Sequence, residues 1–277
     1  MEKRYDLIVI GAGAAGMAAA TVGVGLGKRV AMIEKDKFGG DCTHYGCIPS
    51  KTMIRISKAW KSAKQLSAYG VDGVESLTFD FKKAMDLVSD TVNRVYAEET
   101  AEVFSKLGID TYIGHAEFIE VNRLQVGEQI LYGEKFVIAT GAHQTIPKIQ
   151  GLRDYHTHRT IFDIREKPES LAIIGAGSVG VEMAQAFQRF GTRVLLFSRH
   201  SSILPHEDQE VTSLLLETLQ EEGVAFYPNT HIRQLEGERG DWTLIDAKGK
   251  TFHAAEILLA TGKAPNTSNM GLGGMNL

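Results

Sequence analysis

Cysteine is scarce in this chain: Cys42 and Cys47 are the only two among 277 residues. Two cysteines cannot staple a secreted domain, so a disulfide framework is excluded and a reducing, cytoplasmic setting is expected. No block of lysine or arginine occurs, and a net charge of -4 with a pI near 6.2 gives no electrostatic footprint for nucleic acid or an anionic membrane. A membrane-type apolar run is wanting too. Leu7 to Gly27 is uncharged and follows Lys3-Arg4, but it carries Gly11, Gly13, Gly16, Gly23, Gly25 and Gly27, too many for an insertion signal. What remains is a hydrophobic content of 43% and a charged content of 23%, ordinary for a water-borne globular protein of two domains.

The glycines have a better explanation. A shift of 164 residues superposes Gly11-Ala12-Gly13-Ala14-Ala15-Gly16 on Gly175-Ala176-Gly177-Ser178-Val179-Gly180 and keeps Gly27 on Gly191 and Val30 on Val194. Each copy follows a short apolar run, Leu7 to Ile10 or Leu171 to Ile174, and leads through an alanine-rich helix to a second strand, Arg29 to Ile33 or Arg193 to Phe197. This is the βαβ dinucleotide unit, whose glycines allow a tight turn and let a pyrophosphate approach a helix N-terminus. The fold class expected is α/β, with two Rossmann-like domains. Each half closes on a similar phrase, Val137-Ile138-Ala139-Thr140-Gly141 and Leu258-Leu259-Ala260-Thr261-Gly262.

The second strands end differently. Glu34, followed by Lys35, stands where a carboxylate accepts from ribose hydroxyls, which suits an unphosphorylated adenosine such as that of FAD. The matching position in the second copy is Ser198, followed by Arg199 and His200, which suits the 2′-phosphate of NADP better than NAD. An ordinary solvated strand end is the alternative for Arg199.

The first half carries an insertion that begins with Gly39-Gly40-Asp41-Cys42-Thr43-His44-Tyr45-Gly46-Cys47-Ile48-Pro49-Ser50-Lys51. Residues five apart in an ideal helix lie beyond disulfide reach, so a Cys42 to Cys47 bridge needs the irregular turn that Gly46 and Pro49 can supply. Two reduced structural cysteines, or half a zinc site, are the alternatives. Beyond them, Thr52 to Tyr69 and Phe81 to Leu107 read as a core-facing helical pair. Phe81, Met85, Val88, Val92, Val95 and Leu107 set the period, Gly108 is the stop and Trp60 is a packing residue. His44 is expected to be an exposed polar residue. His156 and His158, on an interdomain loop, lack neighbours at ligand spacing, so no metal site is expected.

On the paired fingerprints, the Gly-Gly-Asp-Cys-x4-Cys-Ile-Pro-Ser-Lys run and both Ala-Thr-Gly phrases, the chain resembles the class I pyridine nucleotide-disulfide oxidoreductases. That family includes glutathione reductase, dihydrolipoamide dehydrogenase and mercuric reductase. The resemblance implies electron flow from NAD(P)H through FAD to a Cys42-Cys47 disulfide, with Cys47 facing the flavin and Cys42 meeting the substrate. It implies that Lys51 and Glu182 lie by the flavin edge and nicotinamide, a surface lysine and glutamate being the alternatives. It adds Gly40 and Asp41 to the FAD contacts and makes Gly114-His115-Ala116 an adenine turn acting through its backbone. It places Ala139, Thr140, Gly141 and Gly262 beside the nucleotides.

The boundaries expected are an FAD domain over 1–147, an NAD(P) domain over 148–266 and a stub over 267–277. Family members continue past the point matched by Leu277 into a dimerisation domain that supplies a His-Glu acid-base pair. A homodimer is therefore expected of a full-length parent, and poor disulfide turnover of this chain alone. Ser50-Lys51 resembles the lipoamide and mercuric branches, while Arg199 disfavours the NAD-using lipoamide enzymes, so a disulfide or metal-ion substrate of the mercuric type leads. The alternatives are an FAD- and NAD(P)-binding module without turnover, and a flavin diaphorase or oxidase.

Overall fold

The computed structural model describes residues 3–274. The chain forms two compact units, one from the stretch up to Ile48, Thr91–His143 and the stretch from Ala264, the other from Pro49–Asp90 and Gln144–Lys263. In chain order the elements up to the first crossings are β1 (Lys3–Ile10), α1 (Ala14–Gly25), β2 (Val30–Glu34), α2 (Gly40–Tyr45), α3 (Cys47–Lys64), α4 (Phe81–Tyr96) and α5 (Ala101–Lys106). There follow β3 (Ile109–Ile113), β4 (Ala116–Glu120), β5 (Arg123–Val126), β6 (Gln129–Ile138) and β7 (Ala142–Gln144).

In the first unit six strands run in the order β3-β2-β1-β6-β5-β4. The first four are parallel, and β4, β5 and β6 turn back on one another as an antiparallel meander. Ile8, Val9, Val30, Ala31, Met32 and Ile33 are buried, as strands covered on both sheet faces require. One face packs on Tyr5, Tyr112, Phe118, Leu124 and Leu131, and the other on Phe38, Phe104, Ile109 and α1.

The second unit holds β8 (Ser170–Ile174), α6 (Ser178–Arg189), β9 (Arg193–Phe197), α7 (Gln209–Glu221) and β10 (Ala225–Tyr227). It is completed by β11 (Ile232–Glu238), β12 (Asp241–Asp246), β13 (Thr251–Ala254) and β14 (Glu256–Leu259), before β15 (Lys263–Pro265) pairs with β7. Four parallel strands run β10-β9-β8-β14, and β11-β12-β13 form a separate antiparallel sheet. Trp242, Leu244 and Phe252 pack with Phe197 and Leu195 on one side of the parallel sheet. On the other side Met53, Phe81, Met85 and Val88 share a core with Phe187 and Leu196, which is why residues 49–90 group with this unit.

The fold is the doubly wound α/β type expected, built twice. The helical insertion differs from its expected outline. The first helix starts at Cys47 and stops at Lys64, leaving Leu66–Tyr69 as a single 3-10 turn. The second period, over Phe81 to Leu107, is two helices, because the Thr100 hydroxyl accepts from the Val103 N–H at 3.4 Å and caps α5. Leu107 is 52% exposed, so the core-facing stripe holds for Phe81, Met85 and Val88 but not to its end. Gly108 does end the segment, with φ +89°.

Candidate functional site

The first fingerprint turns sharply at Gly11, whose φ is +104°. A Cβ there would lie 2.3 Å from the Ala139 carbonyl oxygen, and one at Gly16 would lie 1.8 Å from that of Gly11, so neither position admits a side chain. The second fingerprint repeats this geometry: φ is +116° at Gly175, its Cβ would meet the Ala260 oxygen at 2.2 Å, and that of Gly180 would meet Gly175 at 2.0 Å. Gly13 and Gly177 are the N-caps of α1 and α6. Neither helix has a side-chain cap or an acidic residue in its first turn, so no side chain of the Gly13 or Gly177 cap takes up the first N–H groups at the positive helix end. A Cβ at Gly177 would meet nothing within 4 Å. Both sites fit the pyrophosphate of a dinucleotide.

Around the first fingerprint, Glu34 accepts from the Ala12 N–H at 2.8 Å through one carboxylate oxygen and from the Asp36 N–H at 2.8 Å through the other. Lys35 beside it is exposed. The Gly114 N–H donates to the Glu34 carbonyl at 2.8 Å, which brings the 114–116 turn next to Glu34. His115 Nε2 donates to the Asn269 carbonyl at 2.5 Å. Thr140 and Gly141 are held by Asn266: its N–H donates to Gly141 at 3.0 Å, its amide to the Thr140 carbonyl at 2.8 Å, and the Thr140 hydroxyl to its own carbonyl at 2.6 Å. Asn266 carried no signal of this role in the sequence, because its partners stand 126 residues away.

At the second fingerprint Ser198 is buried, its hydroxyl donating to the Ser202 carbonyl at 3.2 Å and accepting from the His200 N–H at 3.0 Å. Arg199 and His200 are exposed. The segment before β11 is laced to them, with Thr230 donating to Ser198 at 2.8 Å and Asn229 to His200 at 3.0 Å. This brings in His231 and Arg233, which sequence reading missed. Burial holds His231 below the ordinary histidine range, and the charges of Arg233 and Arg199 push the same way. The Gly262 carbonyl accepts from the Thr145 N–H at 3.0 Å and the Gln144 amide at 2.9 Å.

The cysteine segment sits directly on the first fingerprint. Gly39 donates to the Ala12 carbonyl at 2.9 Å, and a Cβ on Gly40 would lie 2.7 Å from the Gly13 Cα. Gly40, Asp41 and Cys42 open α2; Gly46, at φ -128° and ψ -109°, breaks the helix, and Cys47 is the first residue of α3. The two cysteines thus stand on separate helices either side of one glycine, the irregularity a bridge would need. Both are thiols in this structure, Cys47 exposed and Cys42 half-buried. Pro49 lies in the first turn of α3, where its missing N–H costs nothing. Lys51, one turn after Cys47, and Glu182 on α6 are both exposed, and among the described residues no ion pair joins them.

His44 is not the exposed polar residue expected. Its Nε2 donates to the Phe38 carbonyl at 2.7 Å and its ring meets that of Tyr96 at 4.9 Å. Two residues on from Cys42 in α2, it lies on a different helix face from that thiol. His156 and His158 are buried, and His156 stands 3.2 Å from Glu256, with burial lowering its pKa and raising that of the carboxyl. No group of three or more His, Cys, Asp or Glu among the described residues is placed to hold a metal ion. No described helix is long and apolar enough to cross a membrane.

Two dinucleotide-type folds, with a cysteine pair packed on the first, are the architecture of the two-nucleotide oxidoreductases. The profile of the pyridine nucleotide-disulphide oxidoreductases matches residues 5–277, and the chain belongs to that family, whose members use FAD and NAD(P)H. It is 28% identical over 276 residues to a dihydrolipoyl dehydrogenase from Acholeplasma laidlawii, covering 98% of this chain and 82% of the relative. It is 31% identical over 283 residues to a mercuric reductase from Lysinibacillus sphaericus, covering 98% of this chain and 50% of that enzyme. The HOCl-induced flavoprotein disulfide reductase RclA from Escherichia coli superposes with a TM-score of 0.83 at 27% identity, over 97% of this chain and 59% of that one. The chain therefore spans about half the length of the mercuric reductase it matches.

Proposed function

We propose that the chain is the nucleotide- and thiol-bearing part of an FAD-dependent NAD(P)H oxidoreductase that reduces a small disulfide or a metal ion through Cys42 and Cys47. The observation that carries this reading is the seating of the cysteine segment on the first fingerprint, Gly40 against Gly13, in a chain that repeats the fingerprint elsewhere with the same backbone contacts. In this reading FAD belongs to the first fingerprint, with Gly11, Gly13, Ala14, Ala15, Gly16, Glu34, Lys35, Gly40, Asp41, His115, Ala116, Ala139, Thr140 and Gly141. NADP belongs to the second, with Gly175, Gly177, Ser178, Val179, Gly180, Arg199, His200 and Gly262. The corresponding domains are 1–147 and 148–266.

Bound FAD supplies the two-electron relay between nicotinamide and thiols. Overall, NAD(P)H and one proton reduce a substrate disulfide to two thiols and leave NAD(P)+. Cys42 as thiolate attacks one substrate sulfur and expels the other as a thiol; Cys47 then displaces the second substrate thiol, forming the Cys42-Cys47 disulfide. Lys51 and Glu182 supply fixed charges near the reacting ends of the two nucleotides. The mercuric relative favours a metal ion as acceptor, the dihydrolipoyl relative a dithiol couple, and a cytoplasmic homodimer is the natural setting for either.

Heating the purified chain should release FAD rather than FMN. Thiol counting should find no titratable thiol after air oxidation and two after dithiothreitol. Two-electron reduction should give a long-wavelength absorbance that Cys47→Ser removes and Cys42→Ser keeps. Two thiols titratable in air and unchanged by dithiothreitol would sink the redox reading and leave a nucleotide-binding module.

A further inference from the structure

The helix that carries Cys42 is six residues long, about 9 Å, too short to hold its own shape in water. Its position must come from outside. At its start Gly40 rests on Gly13. Past Cys42, the hydroxyl of Thr43, 2% exposed, donates to Glu99 Oε2 at 2.6 Å, a charge-assisted length. The same carboxylate oxygen lies 2.7 Å from where a Cβ on Gly39 would be, at a residue with φ +91°, so Gly39 leaves the room that Glu99 occupies. One residue further on, the His44 ring meets Tyr96 at 4.9 Å and its Nε2 donates to the Phe38 carbonyl. The turn 96–99 after α4 thus clasps the middle of α2 at two consecutive residues, immediately after the thiol.

We propose that Glu99 is a positioning residue for the thiol pair: through Thr43 it fixes α2, and with it Cys42, against the 96–99 turn, and so sets how readily Cys42 and Cys47 close to a disulfide. Cys47 opens its own 18-residue helix, and Gly46 between the two, at φ -128° and ψ -109°, breaks the helical run with its backbone close against that of Asp41. The effective concentration of one thiol at the other therefore depends on how firmly α2 is held. With the clasp released, α2 pivots about Gly46, Cys42 samples more positions, and the pair closes less often. The inference rests on the reading of Cys42 and Cys47 as a redox pair.

The test equilibrates the full chain with glutathione and glutathione disulfide at a series of ratios and counts protein thiols. Protein dithiol and glutathione disulfide give protein disulfide and two glutathione thiols, so the titration yields an equilibrium constant directly. Thr43→Val, which keeps the shape and removes the hydroxyl, should lower that constant about tenfold, which is about 30 mV of potential. Glu99→Ala should do the same, and Thr43→Ser, which restores the donor, should return it to within about twofold. A role confined to stability would lower the melting temperature and leave the constant in place. If Thr43→Val fails to fold, Glu99→Ala carries the comparison. A bridging parent with variants within about twofold of it would overturn the role of Glu99 and spare the redox reading; a parent that forms no bridge at any ratio would overturn both.

Discussion

Arg199 and His231 stand 32 positions apart in sequence, yet backbone hydrogen bonds at Ser198 and His200 hold their segments together. Arg199 offers a guanidinium one residue beyond Ser198, the position that matches the Glu34 carboxylate, and burial, with the charges of Arg233 and Arg199, holds His231 below the ordinary histidine range. A 2′-phosphate would pair with the first and favour protonation of the second. Charge-assisted pairs are worth about 1.5 to 3 kcal/mol, so NADPH should bind roughly tenfold to a hundredfold more tightly than NADH, and Arg199→Glu should reverse the order. The sign of the pH effect follows from His231. Its free-state pKa lies below the ordinary value of 6.5, and a bound phosphate raises it, so the complex takes up a proton that the free protein resists. NADPH affinity should rise as pH falls from about 7.5 to about 6, while NADH affinity stays flat and His231→Gln removes the slope. Fluorescence titrations of both nucleotides check this, and equal slopes for the two would remove the phosphate from the argument. At this scale the sequence spoke only where chemistry is local. Gly11, Gly16, Gly175 and Gly180 are forced by backbone contacts that recur whenever the motif does. His231, Asn266 and Glu99 owe their places to partners brought near by the fold, and no spacing in the chain announces them.

Among the elements, the helices α3, α6 and α7 meet on one carboxylate. Glu222, at the end of α7, accepts from Arg189 at 2.7 Å through both oxygens, from Lys61 at 2.8 Å and from Gln185 at 3.2 Å, with its side chain 7% exposed. Burial alone would raise its pKa, but the hydrogen bonds and charges of Arg189 and Lys61 prevail and hold it below the ordinary 4.5. A depressed carboxylate contributes stability that is present above the unfolded value, near 4.5, and is lost as pH falls through the folded value. Glu222→Ala should therefore cost about 3 to 5 kcal/mol at neutral pH, because Arg189 would be left buried without its partner. Urea denaturation should show that loss at pH 7 and a difference from the parent that shrinks as pH falls below the ordinary 4.5 through the lowered folded value. An equal loss across that range would mean that packing, not charge, joins the helices. Periodicity located the helices of the insertion but not their ends. The apolar spacing from Phe81 reaches Val95 and resumes at Val103 and Leu107 beyond Glu98-Glu99, and the hydroxyl of Thr100 on Val103 shows that a second helix has begun there.

In the whole molecule each fingerprint's sheet is packed on both faces: Phe118 and Leu124 on one face of the first and Phe38 and Phe104 on the other, Trp242 and Phe252 on one face of the second and Phe187 and Met85 on the other. The repeat made this doubling legible, since a shift of 164 residues aligns strand, turn and helix in both halves. The grouping of residues 49–90 with the second unit was not legible, because Met53, Met85 and Val88 are simply apolar and do not state which sheet they cover. If each unit holds its own nucleotide, each ligand should stabilise its own half. A ligand at a hundredfold its dissociation constant adds about 2.7 kcal/mol to the state that binds it. Hydrogen exchange read by mass spectrometry should show FAD slowing exchange across β1, α1 and the 39–42 turn, and NADPH slowing it across β8, α6 and the 198–200 loop. The two protection maps should differ, and together they should add. NADPH that protected the first fingerprint as strongly as the second would show that the carboxylate of Glu34 and the guanidinium of Arg199 do not divide the two nucleotides between the halves.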